Sequence, residues 1–297
     1  MRILNLGGGQ QSTAIYLLAA LGEIPPIDYA IFADTGEEPN WVYETIQALA
    51  DWRHPETGAA GAKLMVRKLL DANGNPVRLG DQLIDGNAGR FASIPAFIKS
   101  KTIFVKGGKN EQGKGRRQCT REFKTGVVEF TIRREILGLD FKEHYKGERV
   151  TQVFGFDFSE PNRIVKVQDR LAHGCLSVGD YPLFDMEWKR SDCVAFLAEC
   201  PGWGREVLQS ACTFCPLVKN HFRRLLRDRD PAGHDRACYV DHAMRQEGSI
   251  ASKKLDGTLY IHRKMIPLEE IDLDEPDDQG KLDFDSLFVD CEGICSH

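Results

Sequence analysis

Several common features are missing from this chain of 297 residues, and each absence excludes a class of protein. No apolar run reaches the roughly 18 residues that a membrane-spanning helix needs, so the sequence predicts no membrane span. No signal peptide precedes the first predicted strand, and we therefore expect a cytoplasmic protein. Internal repeats are absent, and low complexity is confined to the acidic residues 273–285, which we interpret as an exposed linker.

A strong excess of one charge is also lacking. The net charge of −5 argues against a histone-like binder but is compatible with a local basic groove. Apolar residues make up 42% of the chain and charged residues 28%, which is typical of a globular protein. In a cytoplasmic chain, nine cysteines are poor candidates for disulfides and better candidates for metal, cluster or thiol chemistry.

What the chain does contain is a glycine turn near its start. Gly7, Gly8 and Gly9 follow a short apolar run with β character, and a helical pattern opens at Ser12 and Thr13. Consecutive glycines let the backbone turn tightly and approach a ligand closely. The helix that follows directs free N–H groups and its positive dipole end at that ligand. The turn therefore predicts a phosphate site, with a ligand-free strand–helix turn as the alternative.

Two well-known phosphate loops do not fit this turn. A Walker loop requires a lysine that is missing, and Ser12 stands where the dinucleotide fingerprint has its last glycine. The stretch resembles instead the PP-loop, S-G-G-x-[DQ]-S-[ST], of the adenine-nucleotide α-hydrolase superfamily, with Gly7 in place of the leading serine and Gln11 where aspartate is frequent. The resemblance implies an α/β, Rossmann-like (HUP-type) fold with a parallel sheet and helices on both faces. It also implies nucleotide contacts from Gly7, Gly8, Gly9, Gln10, Gln11, Ser12 and Thr13.

Two further strand ends carry polar residues that fit the same superfamily. The residues are Asp34, Thr35 and Gly36 after the second predicted strand, and Gly155 and Asp157 at the end of the strand predicted over residues 151–157. In the superfamily, loops of this kind lie beside the nucleotide, so the resemblance implies that these residues bind it. Arg163 is a second-rank candidate. Ordinary Asp-x-Gly turn chemistry is the alternative.

A cysteine among basic residues precedes a helix predicted at about residues 125–137. Basic side chains near a thiol favour the thiolate and hold polyanions. Cys119, Arg121 and Lys124 resemble the C-x-x-[RK]-K region of the phosphoadenosine-phosphosulfate (PAPS) and adenosine-phosphosulfate (APS) reductases. Thr120 replaces the second of the tandem cysteines that marks the cluster-bearing members. The resemblance implies catalytic roles for Cys119 and Lys124 and a nucleotide contact from Arg121.

More cysteines lie in the last third of the chain. Cys212 and Cys215 form a C-x2-C pair, which can present two thiolates to one metal or cluster. Two unrelated buried thiols are the alternative. Resemblance to the cluster-bearing reductases implies a [4Fe–4S] cluster on Cys119, Cys212 and Cys215, with Cys291 or Cys295 as fourth ligand. A Zn²⁺ site on the same thiolates is the structural alternative. In a third interpretation Cys295 is a catalytic nucleophile, because the tail loosely resembles the C-terminal motif of PAPS reductases.

The order of these motifs resembles the PAPS-reductase-like proteins of phages and mobile bacterial islands, over nearly the whole chain. We predict a PP-loop nucleotide-binding α/β domain over residues 1–203 and a helical, cysteine-rich region over residues 204–297. The resemblance implies an enzyme that uses ATP and Mg²⁺ to adenylate a tRNA or DNA target for sulfur transfer, with a donor such as a cysteine desulfurase. The alternatives are a PAPS- or APS-type reductase that uses thioredoxin and a non-catalytic nucleotide sensor.

Other predictions concern secondary structure and charge. We expect a long loop with one helix over residues 70–115, a strand over residues 181–185, and Cys193 as a small core residue. Basic stretches at residues 106–117 and 223–236 are either solvated charge runs or contacts for phosphate and nucleic acid.

Overall fold

The computed structural model describes residues 1–85, 91–99, 112–140, 143–174, 176–255 and 257–275. The strands in these ranges are β1 (Arg2–Leu6), β2 (Tyr29–Asp34), β3 (Lys63–Lys68), β4 (Phe97–Lys99), β5 (Gln112–Lys114), β6 (Val150–Val153), β7 (Ser177–Asp180) and β8 (Thr258–Tyr260). The α-helices are α1 (Gln10–Leu21), α2 (Asn40–Asp51), α3 (Leu79–Ile84), α4 (Gly126–Phe130), α5 (Pro161–Ala172), α6 (Pro182–Asp185), α7 (Arg190–Glu199), α8 (Asn220–Arg229), α9 (Pro231–Ala243) and α10 (Ile250–Lys254). In the same ranges no helix combines the length and the apolar character that crossing a membrane requires.

Five of the strands form a parallel sheet with the order β3–β2–β1–β6–β7. Leu4 in β1 lies opposite Ala30 in β2 on one side and opposite Val153 in β6 on the other. Strands of a parallel sheet are buried on both faces, which is why β1 and β2 are nearly continuous apolar runs. The sheet and the helices around it confirm the predicted α/β, Rossmann-like fold.

Successive side chains of each strand pack against helices on opposite faces of the sheet. Leu4 belongs to the larger core, together with Ile15 of α1 and Leu197 of α7. Ile3, one residue earlier, belongs to a smaller core with Val128 of α4. Because side chains alternate along a strand, one apolar run supplies both cores.

The winding of the sheet reverses at β1. β2 and β3 lie on one side of β1, and β6 and β7 lie on the other. In open α/β sheets, ligands bind in the crevice outside the carboxyl ends of the strands at such a switch point. Here β1 leads into Gly7 and β6 leads into Phe154, so the glycine turn lies at the crevice.

The helix after Cys119 begins earlier than predicted. Two π-helical stretches, Thr120–Thr125 and Thr131–Ile136, flank α4. In the first of them the Gly126 N–H donates to the carbonyl of Arg121, five residues back. A π-turn is wider than an α-turn and often occurs at functional sites. It therefore alters which side chains after Cys119 share a face.

The prediction of a long loop with one helix over residues 70–115 is partly wrong. α3 is the expected helix, but β4 and β5 pair antiparallel within the predicted loop. β8 joins β4 from far along the chain, with Leu259 opposite Ile98. Strands this short carry little local signal, and their pairing depends on side-chain packing with a distant partner. Lys106 and Lys109 of the first basic stretch lie outside the described residues.

The strand predicted over residues 181–185 is also wrong. This segment forms α6, which begins at Pro182, and the strand is β7 just before it. Proline suits the first helical position because its missing N–H would have no partner there. The prediction for Cys193 is confirmed, since it lies fully buried in the core.

The helices after residue 204 pack against α2 through polar and apolar contacts. Asp230 accepts from the backbone N–H groups of Asn40 (2.9 Å) and Gly233 (3.0 Å), so one carboxylate caps the starts of both α2 and α9. Trp41 and Phe222 meet edge to face, with ring centroids 5.8 Å apart. The large core includes residues from both parts of the chain.

The arginines of the second basic stretch bond within the chain. Arg236 bridges Glu37 (2.7 Å) and Asp81 (2.5 Å), and Arg227 bonds to Asp274 (3.3 Å). Arg223 is 1% exposed. Arg223 and Arg236 are therefore engaged within the chain, whereas Arg227 and Arg229 lie at the surface beside exposed acidic side chains.

Candidate functional site

The glycine turn is closed by its own hydrogen bonds and by contact with α2. Gly8 has φ +72°, and a Cβ atom there would lie 2.8 Å from Val42 Cγ1, so this position requires glycine. The Gly7 N–H donates to Ser12 Oγ (3.2 Å), and the Thr13 N–H donates to the Gly9 carbonyl (3.0 Å). The sequence motif thus forms the strand–turn–helix unit that its spacing predicts.

The loop after β2 is organised by Asp34. Its carboxylate accepts from the Gly36 N–H (2.7 Å) and the Tyr43 hydroxyl (2.9 Å), and it pairs with Lys68 (3.2 Å). Burial, followed by the nearby carboxylates of Asp34 and Glu38, raises the pKa of Tyr43, so its hydroxyl stays a donor. Gly36 has φ +74°, with Arg78 Cγ only 2.9 Å from the position of an added Cβ. Asp34 therefore holds the loop in shape.

A second set of polar side chains joins α1 to the loop after β6; we call it the Arg163 network, formed by Gln11, Asp157, Glu160, Arg163 and Arg190. Gln11 Nε2 donates to Asp157 Oδ2 and to Glu160 Oε2, both at 3.1 Å. Arg163 pairs with Glu160 and lies over the Phe156 ring, 4.3 Å from its centroid. Two residues that the sequence assigned to the nucleotide, Gln11 and Asp157, therefore meet at the switch point. Gly155 is buried between Phe154 and Phe156, whose rings stack 5.6 Å apart.

On the other side of β1 lies the Cys212 network, formed by Thr35, Glu38, Lys124 and Cys212. Glu38 Oε1 accepts from Thr35 Oγ1 (3.1 Å) and lies 3.3 Å from Lys124 Nζ. Cys212 Sγ lies 3.4 Å from Thr35 Oγ1 and 3.7 Å from Glu38 Oε1. The side chain of Glu38 is 1% exposed and that of Lys124 is 7% exposed. A buried ion pair of this kind places a carboxylate and an ammonium within reach of a thiol.

The predicted cysteines of the two halves line one small cavity, the cysteine cavity, with a volume of about 20 Å³. Its lining residues are Thr35, Leu79, Ile94, Pro95, Arg117, Cys119, Thr120, Lys124, Cys212, Phe214, Cys215 and Pro216. Cys119 is half-buried, whereas Cys212 and Cys215 are buried. Cys119, Cys212 and Cys215, which the resemblance assigned to one cluster, thus line the same cavity, although the described residues contain no group of three or more His, Cys, Asp or Glu side chains arranged to hold a metal ion.

The basic residues near Cys119 differ in position. Arg121, for which a nucleotide contact was predicted, is exposed on the π-helical stretch and does not line the cysteine cavity, whereas Arg117 does. Lys124, for which a catalytic role was predicted, lines the cavity. The wide π-turn after Cys119 places Thr120 and Lys124 on the cavity side. Cys291 and Cys295 lie outside the described residues.

Sequence reasoning missed Glu38 and Glu160, and it included Arg117 only as part of the basic stretch at residues 106–117. Glu38 follows Asp-Thr-Gly by two positions, and Glu160 follows Asp157 by three. Both therefore lie next to a recognised motif without being one of the residues that define it. Acidic side chains in such loops are ordinary surface residues by default. Their burial, 5% exposure for Glu38 and 8% for Glu160, is the signal that singles them out, and it exists only in the fold.

A segment of the C-terminal part, residues 207–213, crosses the carboxyl edge of the sheet; we call it the strap. The Val207 carbonyl accepts from Gln10 Nε2 (3.0 Å), and the Gln209 carbonyl accepts from Trp41 Nε1 (2.9 Å). The Thr213 N–H donates to the carbonyl of Glu37 (2.8 Å). The strap thus contacts the end of the glycine turn, the first turn of α2 and the loop after β2.

Behind the cysteine pair lies a buried guanidinium. Arg223 Nη2 donates to the carbonyls of Cys215 and Ile261, both at 3.0 Å. Burial lowers the pKa of Arg223 to about 10, against the opposing effect of Cys215, Asp241 and Cys238. The Arg223 guanidinium therefore remains positively charged at neutral pH. It contacts the Cys212–Cys215 turn from the protein interior.

The geometry defines the class of protein as an α/β protein with a nucleotide-binding-like fold, whose crevice residues lie beside a cavity of thiols. Comparisons of the chain with models of known families, with curated proteins and with solved structures found no match. Arguments about function therefore depend on the chemistry of the site.

Proposed function

We propose that the chain binds an adenine nucleotide at the glycine turn and uses ATP to adenylate an acceptor for sulfur transfer, as its resemblance to PP-loop proteins implies. One observation carries the proposal. Thr35 stands in the loop after β2, at the nucleotide edge of the sheet, and its hydroxyl lies 3.4 Å from Cys212 Sγ in the cysteine cavity. The position expected for the nucleotide therefore adjoins the cysteine cavity at Thr35.

The reaction has two displacements. An oxygen of the acceptor attacks the α-phosphorus of ATP, and pyrophosphate leaves as the new O–P bond forms. A sulfur nucleophile then attacks the acceptor carbon, and AMP leaves with the oxygen. Both steps need positioned donors for phosphate charge, which the backbone N–H groups at the start of α1 supply. We assign Cys119 and Lys124 to the sulfur side of the site because both line the cysteine cavity.

Metal ions would take limited roles in this proposal. Mg²⁺ would neutralise the charge of the pyrophosphate and would be held mainly through phosphate oxygens and water. The thiols of Cys119, Cys212 and Cys215 are the donors that suit an iron–sulfur cluster or zinc. The described residues do not place three such donors around one point, and so we route no step through a cluster. The fourth ligand, Cys291 or Cys295, stays a prediction.

A second candidate function is the PAPS- or APS-type reductase. Arg117 and Lys124 line the same cavity as Cys119, and two cations beside a thiol suit an anionic sulfur donor. This function requires thioredoxin as reductant and Cys295 as nucleophile. The third candidate, a nucleotide sensor, would bind nucleotide in the crevice without catalysing a reaction on it.

The test combines binding with product analysis. Purified protein is titrated with ATP and with PAPS, then incubated with ATP, Mg²⁺, sulfide and total tRNA or fragmented DNA. We expect ATP binding and release of AMP and pyrophosphate that depends on nucleic acid. Sulfite released from PAPS with thioredoxin would establish the reductase instead, and ATP binding without pyrophosphate release would establish the sensor.

Two variants locate the chemistry. Ser12→Ala removes the hydroxyl that accepts from the Gly7 N–H, so nucleotide affinity should fall by about tenfold or more. Thr131→Val is the matched control, because Thr131 is equally buried and its hydroxyl already donates within its own helix (2.9 Å). Equal nucleotide affinity in parent and Ser12→Ala protein would contradict the assignment of the glycine turn.

A further inference from the structure

We propose that Ser210 and Thr213 of the strap, together with Thr13 of α1, donate hydroxyl hydrogen bonds to phosphate oxygens of the bound ligand. The phosphate is then held from two sides, by the glycine turn below and by the strap above. This inference rests on the proposed nucleotide site, which already includes Thr13, and adds to it Ser210 and Thr213, which no phosphate-loop motif contains.

The first observation concerns burial without partners. Thr13, Ser210 and Thr213 are 0%, 2% and 3% exposed. The hydroxyl of each has no hydrogen-bond partner among the described residues. Burying a hydroxyl is costly unless it is hydrogen-bonded, so native proteins rarely leave one unmatched. Three such groups associated with one edge of the sheet indicate that something else completes their bonds.

The second observation is the course of the strap. Gln10 Nε2, at the end of the glycine turn, bonds to the Val207 carbonyl, and Trp41 Nε1 bonds to the Gln209 carbonyl. Ser210 follows directly, and the Thr213 N–H then bonds to the loop after β2 through the Glu37 carbonyl. The two unmatched strap hydroxyls therefore lie on a segment that is bonded to the crevice just before Ser210 and at Thr213 itself.

The third observation separates these hydroxyls from the thiols. Cys212 and Phe214 line the cysteine cavity, whereas their neighbours Ser210 and Thr213 do not. Neither hydroxyl is therefore satisfied by a ligand in that cavity. The strap thus places Cys212 at the cavity, and the hydroxyls of Ser210 and Thr213 can bond to a different partner.

The chemistry of the crevice favours an anion as that partner. α1 has 12 residues and no acidic side chain in its first turn, so its N-terminal N–H groups and dipole attract negative charge. Hydroxyl groups act as donors to phosphate oxygens, and bonds to a charged acceptor are the stronger kind. The pyrophosphate part of a nucleotide fits this donor set, whereas adenosine alone offers no charge to it.

The experiment measures binding of inorganic pyrophosphate, ATP and adenosine by calorimetry to the full chain. Ser210→Ala and Thr213→Val should each weaken pyrophosphate and ATP by about tenfold and leave adenosine unchanged. Thr213→Ser keeps the hydroxyl and should bind like the parent. Thr131→Val is the control for loss of a buried threonine hydroxyl. Unfolding temperatures of all variants identify any loss that comes from misfolding.

A second readout does not depend on affinity. Cys212 lies between the two strap hydroxyls, so pyrophosphate that engages the strap should slow alkylation of Cys212 by iodoacetamide several-fold, read by peptide mass spectrometry. This protection should disappear in the Ser210→Ala, Thr213→Val double variant at a pyrophosphate concentration that saturates the parent.

The outcomes separate this inference from the proposed function. If Ser12→Ala loses pyrophosphate and both strap variants keep parental affinity, buried water satisfies the hydroxyls and the strap inference is wrong, while the nucleotide site stands. If the parent itself binds neither pyrophosphate nor ATP, both are wrong. Equal weakening by Thr213→Val and Thr213→Ser would also overturn the inference, because the hydroxyl would then be irrelevant.

Discussion

The Arg163 network and the Cys212 network lie on opposite sides of β1, and each buries an acid–cation pair at the carboxyl edge of the sheet. Glu160 pairs with a guanidinium that also stacks on Phe156, whereas Glu38 pairs with the ammonium of Lys124. A guanidinium is a rigid fork that holds two partners in fixed geometry, and an ammonium is a compact charge on a flexible stem. The first arrangement suits positioning, and the second suits chemistry.

The two networks also differ in what they adjoin. The Arg163 network continues into packed rings, since Phe154, Phe156 and Tyr181 stack on one another. The Cys212 network contains a thiol and opens into the cysteine cavity. A buried ion pair is therefore part of a packed structural region in one network and lies beside a thiol-lined cavity in the other. We expect variants of the two networks to affect different measurements.

The largest expected effect is on stability, from Arg163→Met. Removing one partner of a buried ion pair leaves an uncompensated charge, and the free energy of unfolding should fall by about 3–5 kcal/mol. Urea unfolding measures the loss. The control is Arg67→Met, whose pair with Glu135 (2.6 Å) is about one-third exposed on each side and should contribute at most about 1 kcal/mol. Equal losses of unfolding free energy in both variants would contradict the prediction that the buried Arg163 pair stabilises the fold more than an exposed pair does.

The next effect tests the close approach at the glycine turn. Gly8→Ala places a Cβ atom 2.8 Å from Val42 Cγ1 at φ +72°, whereas Gly22→Ala has φ +82° and no atom within 4 Å. Both changes should cost about 1–2 kcal/mol of backbone strain. Gly8→Ala should cost about 1–3 kcal/mol more from overpacking and should also lose ATP binding. Thermal unfolding and ATP titration check both, and equal behaviour of the two variants would contradict the prediction.

A third test concerns Lys124 in the Cys212 network. Lys124→Met leaves Glu38 buried without its ammonium, so we expect a loss of about 3 kcal/mol in unfolding free energy. The alkylation rate of Cys212 should also change, because the charges next to its sulfur change. Lys68→Met is the control, since Lys68 is 40% exposed beside Asp34 and should contribute at most about 1 kcal/mol. An unchanged alkylation rate of Cys212 in the Lys124→Met protein would show that Lys124 does not influence the reactivity of this thiol.

The smallest effect is a pH dependence that involves neither network. Burial raises the pKa of Cys200 from 9.0 to about 11. Between these values the unfolded thiol has lost its proton and the folded thiol has kept it, so stability falls as pH rises from about 9 to about 11. Cys238, whose pKa is raised to about 11 by burial and then by Asp241, acts in the same window. Cys200→Ala should flatten part of this slope in unfolding measured at several pH values, and an unchanged slope would contradict the assignment.

Local motifs allowed much of the site to be predicted. The glycine turn depends on conformations that only nearby residues decide, and resemblance to the cluster-bearing reductases associated Cys119 with Cys212 and Cys215. The helix start after Cys119 was misplaced, and the sequence did not show that Arg117 lines the cysteine cavity while Arg121 is exposed. A π-turn has no composition signal, so the direction of these two side chains appeared only in the fold.

By itself, the sequence determined the α/β class, the place of the glycine turn and the set of cysteines worth considering. The place of the glycine turn follows from the backbone geometry that glycine allows, whereas the α/β class and the set of cysteines were implied by resemblance to PP-loop proteins and reductases. Only the tertiary structure decided that Gln11 meets Asp157, that Glu38 and Lys124 flank Cys212, and that β8 completes the sheet of β4 and β5. These contacts join residues far apart in the chain, and their energies depend on burial, which no local pattern specifies.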